Sequence, residues 1–83
     1  MTIRFHPHAL QRMRERGATR GDVRAAVVGG KPAIAKFGRV RFRRVFRFDA
    51  RWNGKTFARK QIDAIAAKIT DGWLVITVIV KFF

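Results

Sequence analysis

Trp73-Leu74-Val75-Ile76-Thr77-Val78-Ile79-Val80-Lys81-Phe82 is a run of β-branched and aromatic side chains. Such residues lose rotamer freedom in a helix and pack well on a pleated surface. The run reads as a strand that is apolar on both faces, and strands of that kind are central and covered twice. Asp71-Gly72 just before it is a hairpin signal, so the segment Phe57 to Thr70 becomes its antiparallel neighbour. Asn53-Gly54 is a second hairpin signal, and it joins that neighbour to a basic, aromatic strand from Val40 to Arg51.

The N-terminal part has a different period. Thr2 to Phe5 reads as a short strand. Pro7 suits the first turn of a helix, where its missing N–H is harmless. A helix from Pro7 to Arg16 then presents Ala9, Leu10 and Met13 on one face and stops at Gly17. His6 reads as a residue leading into this helix. Thr19 starts a second helix, with Asp22 placed as in a capping box and Val23, Ala26 and Val27 as its buried stripe. Gly29-Gly30 ends it, with Pro32 just beyond. The expected order is β-α-α-β-β-β. This is an α+β fold: two N-terminal helices packed on a curled antiparallel sheet of three to four strands.

Eighty-three residues make a single domain, spanning 1–83. Hydrophobic residues are 48% of the chain, enough for a core. Lysine and arginine total 19 against five acids, a formal net charge of +14. Self-repulsion on this scale points to a polyanionic partner, with nucleic acid ahead of a membrane surface or an acidic protein. Thirteen of the 19 are arginine, whose planar fork grips phosphate bidentately and stacks on bases. There is no cysteine, which removes disulfides, thiol nucleophiles and cysteine-bound zinc. No signal peptide is visible, and Trp73 to Val80 is too short to span a bilayer as a helix. The chain reads as soluble.

The first helix carries the residues with chemistry. At helical spacing His8, Arg12 and Glu15 fall within about 60° of one another, and Arg16 stands between them and the apolar face. Cleaving RNA without a metal needs a base, an acid and cations for the phosphorane charge. His8 and Glu15 supply the proton transfers, and Arg12 and Arg16 the phosphate clamp. The same spacing also fits a solvated helix face with an i,i+3 ion pair.

In the basic strand, alternation puts Arg41, Arg43, Arg47 and Arg51 on one face, with Val45 among them. They form a phosphate-tracking surface or a charged edge that resists aggregation. Arg44 falls on the other face, among Phe42, Phe46 and Phe48. Either a bulge turns it out, or it points into a cleft beside the first helix as a fifth catalytic residue. Lys81 adds a phosphate contact or is a charged strand end. The five carboxylates are scattered, which argues against a two-metal nuclease and against any metal site. No Walker or dinucleotide motif occurs, no cofactor is expected, and the absence of serine excludes a serine hydrolase.

The pattern His8-Ala9-x-x-Arg12-Met13-x-x-Arg16-Gly17, followed by Thr19 and Val23, resembles the family called domain of unknown function 4258. The closing Leu74-Val75-Ile76-Thr77-Val78-Ile79 fits that family's last strand. The middle, Phe42 to Lys60, is richer in arginine and phenylalanine than the family pattern. The family is in turn similar to the BrnT toxins and, more distantly, to the RelE/ParE toxins. The resemblance implies a metal-independent ribonuclease toxin that blocks translation in the cytoplasm. It also implies an acidic antitoxin, or an immunity protein where the domain arrives within a larger secreted protein. It carries over to His8, Arg12 and Arg16. The alternatives are a non-catalytic RNA- or DNA-binding module and a toxin that acts by protein contact.

Overall fold

A computed structural model describes residues 1–83. The chain runs β1 (Thr2–Phe5), α1 (Pro7–Arg16), α2 (Arg20–Gly29), β2 (Lys31–Ile34), a short 3₁₀ turn (Lys36–Gly38), β3 (Val40–Trp52), β4 (Lys55–Ile69) and β5 (Gly72–Phe82). Both helices begin as their sequences require. The His6 imidazole caps α1, its Nδ1 accepting from the His8 backbone N–H at 3.1 Å. Thr19 and Asp22 cap each other reciprocally at the start of α2. Gly17 closes α1 in the left-handed region at φ 76, and its Cα lies against the Trp52 ring, where a Cβ would collide.

The sheet has five strands in the order β1-β5-β4-β3-β2 and is mixed. This corrects the expected antiparallel sheet of three to four strands in two places. β1 pairs with β5 in parallel, from Thr2 opposite Gly72 to Phe5 opposite Val75. β2 pairs antiparallel with β3 over Lys31 to Ile34 and was not foreseen, because Pro32 reads as a helix terminator. β2 is the edge strand, where a proline's missing N–H leaves no ladder bond unmade.

The β3–β4 turn is the expected Asn53-Gly54, both residues at positive φ between Trp52 and Lys55. The next turn falls one residue earlier than expected. Ile69 pairs with Gly72, so Thr70-Asp71 is the turn and Gly72 already belongs to β5. A Cβ at Gly72 would meet the Thr2 backbone, so the glycine serves close strand approach here.

Both helices lie on one face of the sheet, α1 over β5 and α2 over β3 and β4. Ala9 and Met13 of α1 and Val23, Ala26 and Val27 of α2 meet Phe42, Ile62, Ala64, Ala66, Val75 and Val78. Strict alternation would send Val75 and Val78 to opposite faces. One extra residue in β5, between the pairs Thr77–Ile65 and Val75–Ala66, brings both inward. A second bulge in β3, between Arg47 and Ala50, curls the hairpin end over the α1–α2 turn. Trp52, Phe48 and Phe57 gather there around Phe82 at centroid distances of 5.1–5.6 Å. No element covers the other face, so β5 is covered once; Ile79 and Val45 stay exposed.

Candidate nucleic-acid interface

The uncovered face follows from the register. Lys60, Ile62 and Ala64 point toward the helices, so Arg59, Gln61, Asp63 and Ile65 point away. Cross-strand pairing then builds rows on that face. Lys31, Arg43, Asp63 and Ile79 form one, and Ala33, Arg41, Ile65 and Thr77 a second. Val45, Gln61 and Lys81 form a third, and Arg47 stands opposite Arg59. Six cations therefore share a face whose rows contain a single carboxylate, Asp63.

That carboxylate is 5% exposed and accepts two bonds from Arg43, Nε to Oδ1 at 2.8 Å and Nη2 to Oδ2 at 2.9 Å. Hydrogen bonding to Asp63, then its charge, pushes the Arg43 pKa above its ordinary value. Arg43 thus neutralises a buried acid before it can meet a phosphate. Arg47 pairs with Asp49 at 2.6 Å, but both ends are exposed and the pair is easily exchanged for a ligand. Arg51 donates to the Gly54 carbonyl at the hairpin end. Lys81 stands over the Phe83 ring. Arg41 has a buried Nε with no partner.

Sequence reasoning did not single out Lys31, Arg59 or Lys60. Lys31 was hidden with β2. Arg59 was legible from alternation along β4. Lys60 falls on the apolar parity with Ile62 and Ala64 and is buried. Its ammonium donates to the Gly17 carbonyl at 2.5 Å and to Asp22 Oδ2 at 2.7 Å, between the Phe48 and Phe82 rings. It fastens the turn between the helices to the sheet.

The residues expected to catalyse do not all meet. His8, Arg12, Glu15 and Arg16 line α1 on the helix side, across the sheet from the arginine rows. Arg12 and Glu15 make the i,i+3 pair at 3.8 Å, both ends well exposed. Arg44 keeps a regular register opposite Ile62, with no bulge, and turns to α2. There its Nη1 donates to the Ala25 carbonyl at 3.2 Å and its guanidinium stands over Phe46. That carbonyl lies toward the C-terminal end of α2, where a cation opposes the negative end of the helix dipole. Arg44 therefore joins α2 and not α1.

No group of three or more His, Cys, Asp or Glu side chains gathers in a way that could hold a metal ion. No helix is long and apolar enough to cross a membrane. No curated protein and no solved structure matches the chain. A family match extends over residues 5–80, which takes in both helices and nearly all of the sheet. The chain belongs to the family described as domain of unknown function DUF4258.

Proposed function

We propose that this domain binds RNA through the uncovered face of its sheet. One observation carries the reading: Lys31, Arg41, Arg43, Arg47, Arg59 and Lys81 share a face on which the only carboxylate in the rows is already held by Arg43. Each phosphate that such a face neutralises releases counterions, so affinity comes without sequence readout. An acidic protein lying on the same face competes with RNA. It is the antitoxin or immunity partner that the likeness to BrnT and RelE toxins calls for, whether the domain acts alone in the cytoplasm or arrives within a larger secreted protein. Titration of labelled RNA at several salt concentrations tests the reading. Salt-dependent binding that Arg41→Ala with Arg59→Ala weakens, with a shallower salt slope, supports it, and binding unchanged in that double variant overturns it.

The ribonuclease reading rests on a different observation. The His8 imidazole and the Arg16 guanidinium make no hydrogen bond within the protein, and they share α1 with the Arg12–Glu15 pair. In that reading His8 and Glu15 exchange protons at the 2′-hydroxyl and the leaving oxygen while Arg12 and Arg16 hold the phosphate. Arg44, expected as a further phosphate ligand, is committed to the α2 carbonyl. Incubation with total RNA in EDTA decides the matter. Cleavage by the wild type and not by His8→Ala supports it. Intact RNA with a folded, RNA-binding protein leaves the binding module.

A further inference from the structure

Ile34 to Arg39 link β2 to β3 and carry the most exposed apolar side chains of the fold. Ile34 is 93% and Phe37 87% exposed. Phe37 also sits at φ 62, followed by Gly38 at φ 69. A bulky residue in the left-handed region is a backbone outlier, and such strain clusters at binding segments. The ring is therefore held out in water, on a strained backbone, where it buries nothing.

The surroundings indicate what it meets. Arg39 stands over the Phe37 ring, its guanidinium 5.7 Å from the centroid, and Lys36 is the neighbouring residue. Arg39, in extended conformation, stands just before β3, whose odd-numbered column begins with Arg41, Arg43 and Arg47. Six of the other aromatic side chains, Phe42, Phe46, Phe48, Trp52, Phe57 and Phe82, lie on the helix side or in the hairpin-end cluster and are engaged there. The arginine column thus ends on a presented aromatic face with cations beside it. Charge of this sign and density excludes a cationic partner. A flat ring beside a phosphate track fits a nucleobase, because base–aromatic stacking and a backbone-tracking groove are the two parts of a single-strand site. A duplex keeps its bases stacked on one another and has no free π-face to offer.

We propose that the β2–β3 tip is a base-stacking element, with Phe37 holding an unpaired base while the arginine column follows the phosphates, so that the domain selects single-stranded over duplex RNA. The inference rests on the RNA-binding reading and adds the class of RNA and the residue that selects it.

The test compares binding of the whole domain to an oligouridine single strand and to a duplex of equal length. Wild type, Phe37→Ala, Phe37→Trp and Phe37→Leu are measured, each checked for an unchanged melting temperature. The wild type is expected to prefer the single strand. Phe37→Ala and Phe37→Leu are expected to lose roughly tenfold on the single strand and little on the duplex, and Phe37→Trp to keep full affinity. The slope of affinity against salt stays the same in all four, because stacking releases no counterions. Equal single-strand affinity in wild type and Phe37→Ala overturns the stacking role while leaving RNA binding intact. Failure of the wild type to bind either RNA removes the RNA-binding reading itself, and this proposal with it. Loss of single-strand affinity in Phe37→Ala that Phe37→Leu restores also overturns it, since a purely apolar contact needs no ring.

Discussion

Arg43 and Asp63 stand opposite each other in register across β3 and β4 and close a two-bond pair, 2.8 and 2.9 Å long, over a carboxylate that is almost fully buried. The pair divides the arginine face into cations free for a ligand and one that holds the sheet together. Truncating Arg43 leaves the Asp63 charge buried without a partner, and that is where the cost of breaking such pairs arises. Arg43→Ala is therefore expected to lower the melting temperature clearly, and Arg43→Ala with Asp63→Ala to recover part of the loss. Arg41→Ala and Arg59→Ala, which orphan no acid, are expected to melt near the wild type. A double variant less stable than Arg43→Ala would contradict the assignment.

Lys60 is the second structural cation. Its ammonium ties the Gly17 carbonyl and the Asp22 carboxylate to the sheet, under the Phe48 and Phe82 rings. Lys60→Ala removes this tie and leaves a half-buried Asp22 and an aromatic cluster without its centre. A loss of about 2–3 kcal/mol follows from the cost of breaking a partly buried pair, or roughly 15 °C in melting temperature for a domain of this size. Thermal melts followed by circular dichroism measure it. A shift of under a few degrees would mean that the cluster repacks without the ammonium.

Asp22 links that tie to pH. Burial works to raise its pKa, but hydrogen bonds from the Lys60 ammonium and the Thr19 backbone N–H, with the Lys60 charge and the Thr19 side chain, together hold it below the ordinary value of 3.8. A carboxyl depressed in the folded state adds stability that is fully present above its unfolded pKa and disappears as pH falls through the folded one. The melting temperature is therefore expected to hold above about pH 4 and to drop below it, with a shallower drop in Asp22→Asn. Parallel pH profiles for the two proteins would show that the acid sensitivity comes from other carboxylates.

Much of this architecture is legible in the chain. Helix α1 and the start of α2 follow from Pro7, Gly17 and the Thr19–Asp22 box, because capping is local chemistry between residues a few positions apart. Asn53-Gly54 announces its hairpin for the same reason. β2 and the parallel pairing of β1 escape such reading, since an edge strand carrying a proline has no local signature and parallel pairing depends on a partner about seventy residues away. Bulges are equally silent, although they decide that Val75 and Val78 both reach the core. The candidate site divides similarly. Alternation groups Arg41, Arg43, Arg47 and Arg51; the first three do share a face, but the bulge between Arg47 and Ala50 takes Arg51 out of that alternation, and it donates to the Gly54 carbonyl. It does not reveal that Asp63 occupies Arg43 or that Ala25 occupies Arg44, because those partners come from other elements.

That division makes the salt dependence of RNA binding a test of individual residues. Each cation that neutralises a phosphate of a single strand contributes about 0.7 to the slope of log affinity against log salt. Arg41→Ala, Arg59→Ala and Lys81→Ala are each expected to reduce the slope by about that amount and to weaken binding alike across RNA sequences. Arg43 already satisfies Asp63, so Asp63→Asn, which frees the guanidinium, is expected to steepen the slope. Arg24→Ala, on the exposed side of α2 and across the sheet from the rows, is expected to leave it unchanged. Filter binding of one labelled oligonucleotide over a series of potassium chloride concentrations reads all five variants. A slope that falls as much for Arg24→Ala as for Arg41→Ala would show that RNA is drawn by the overall charge of the domain and not by this face.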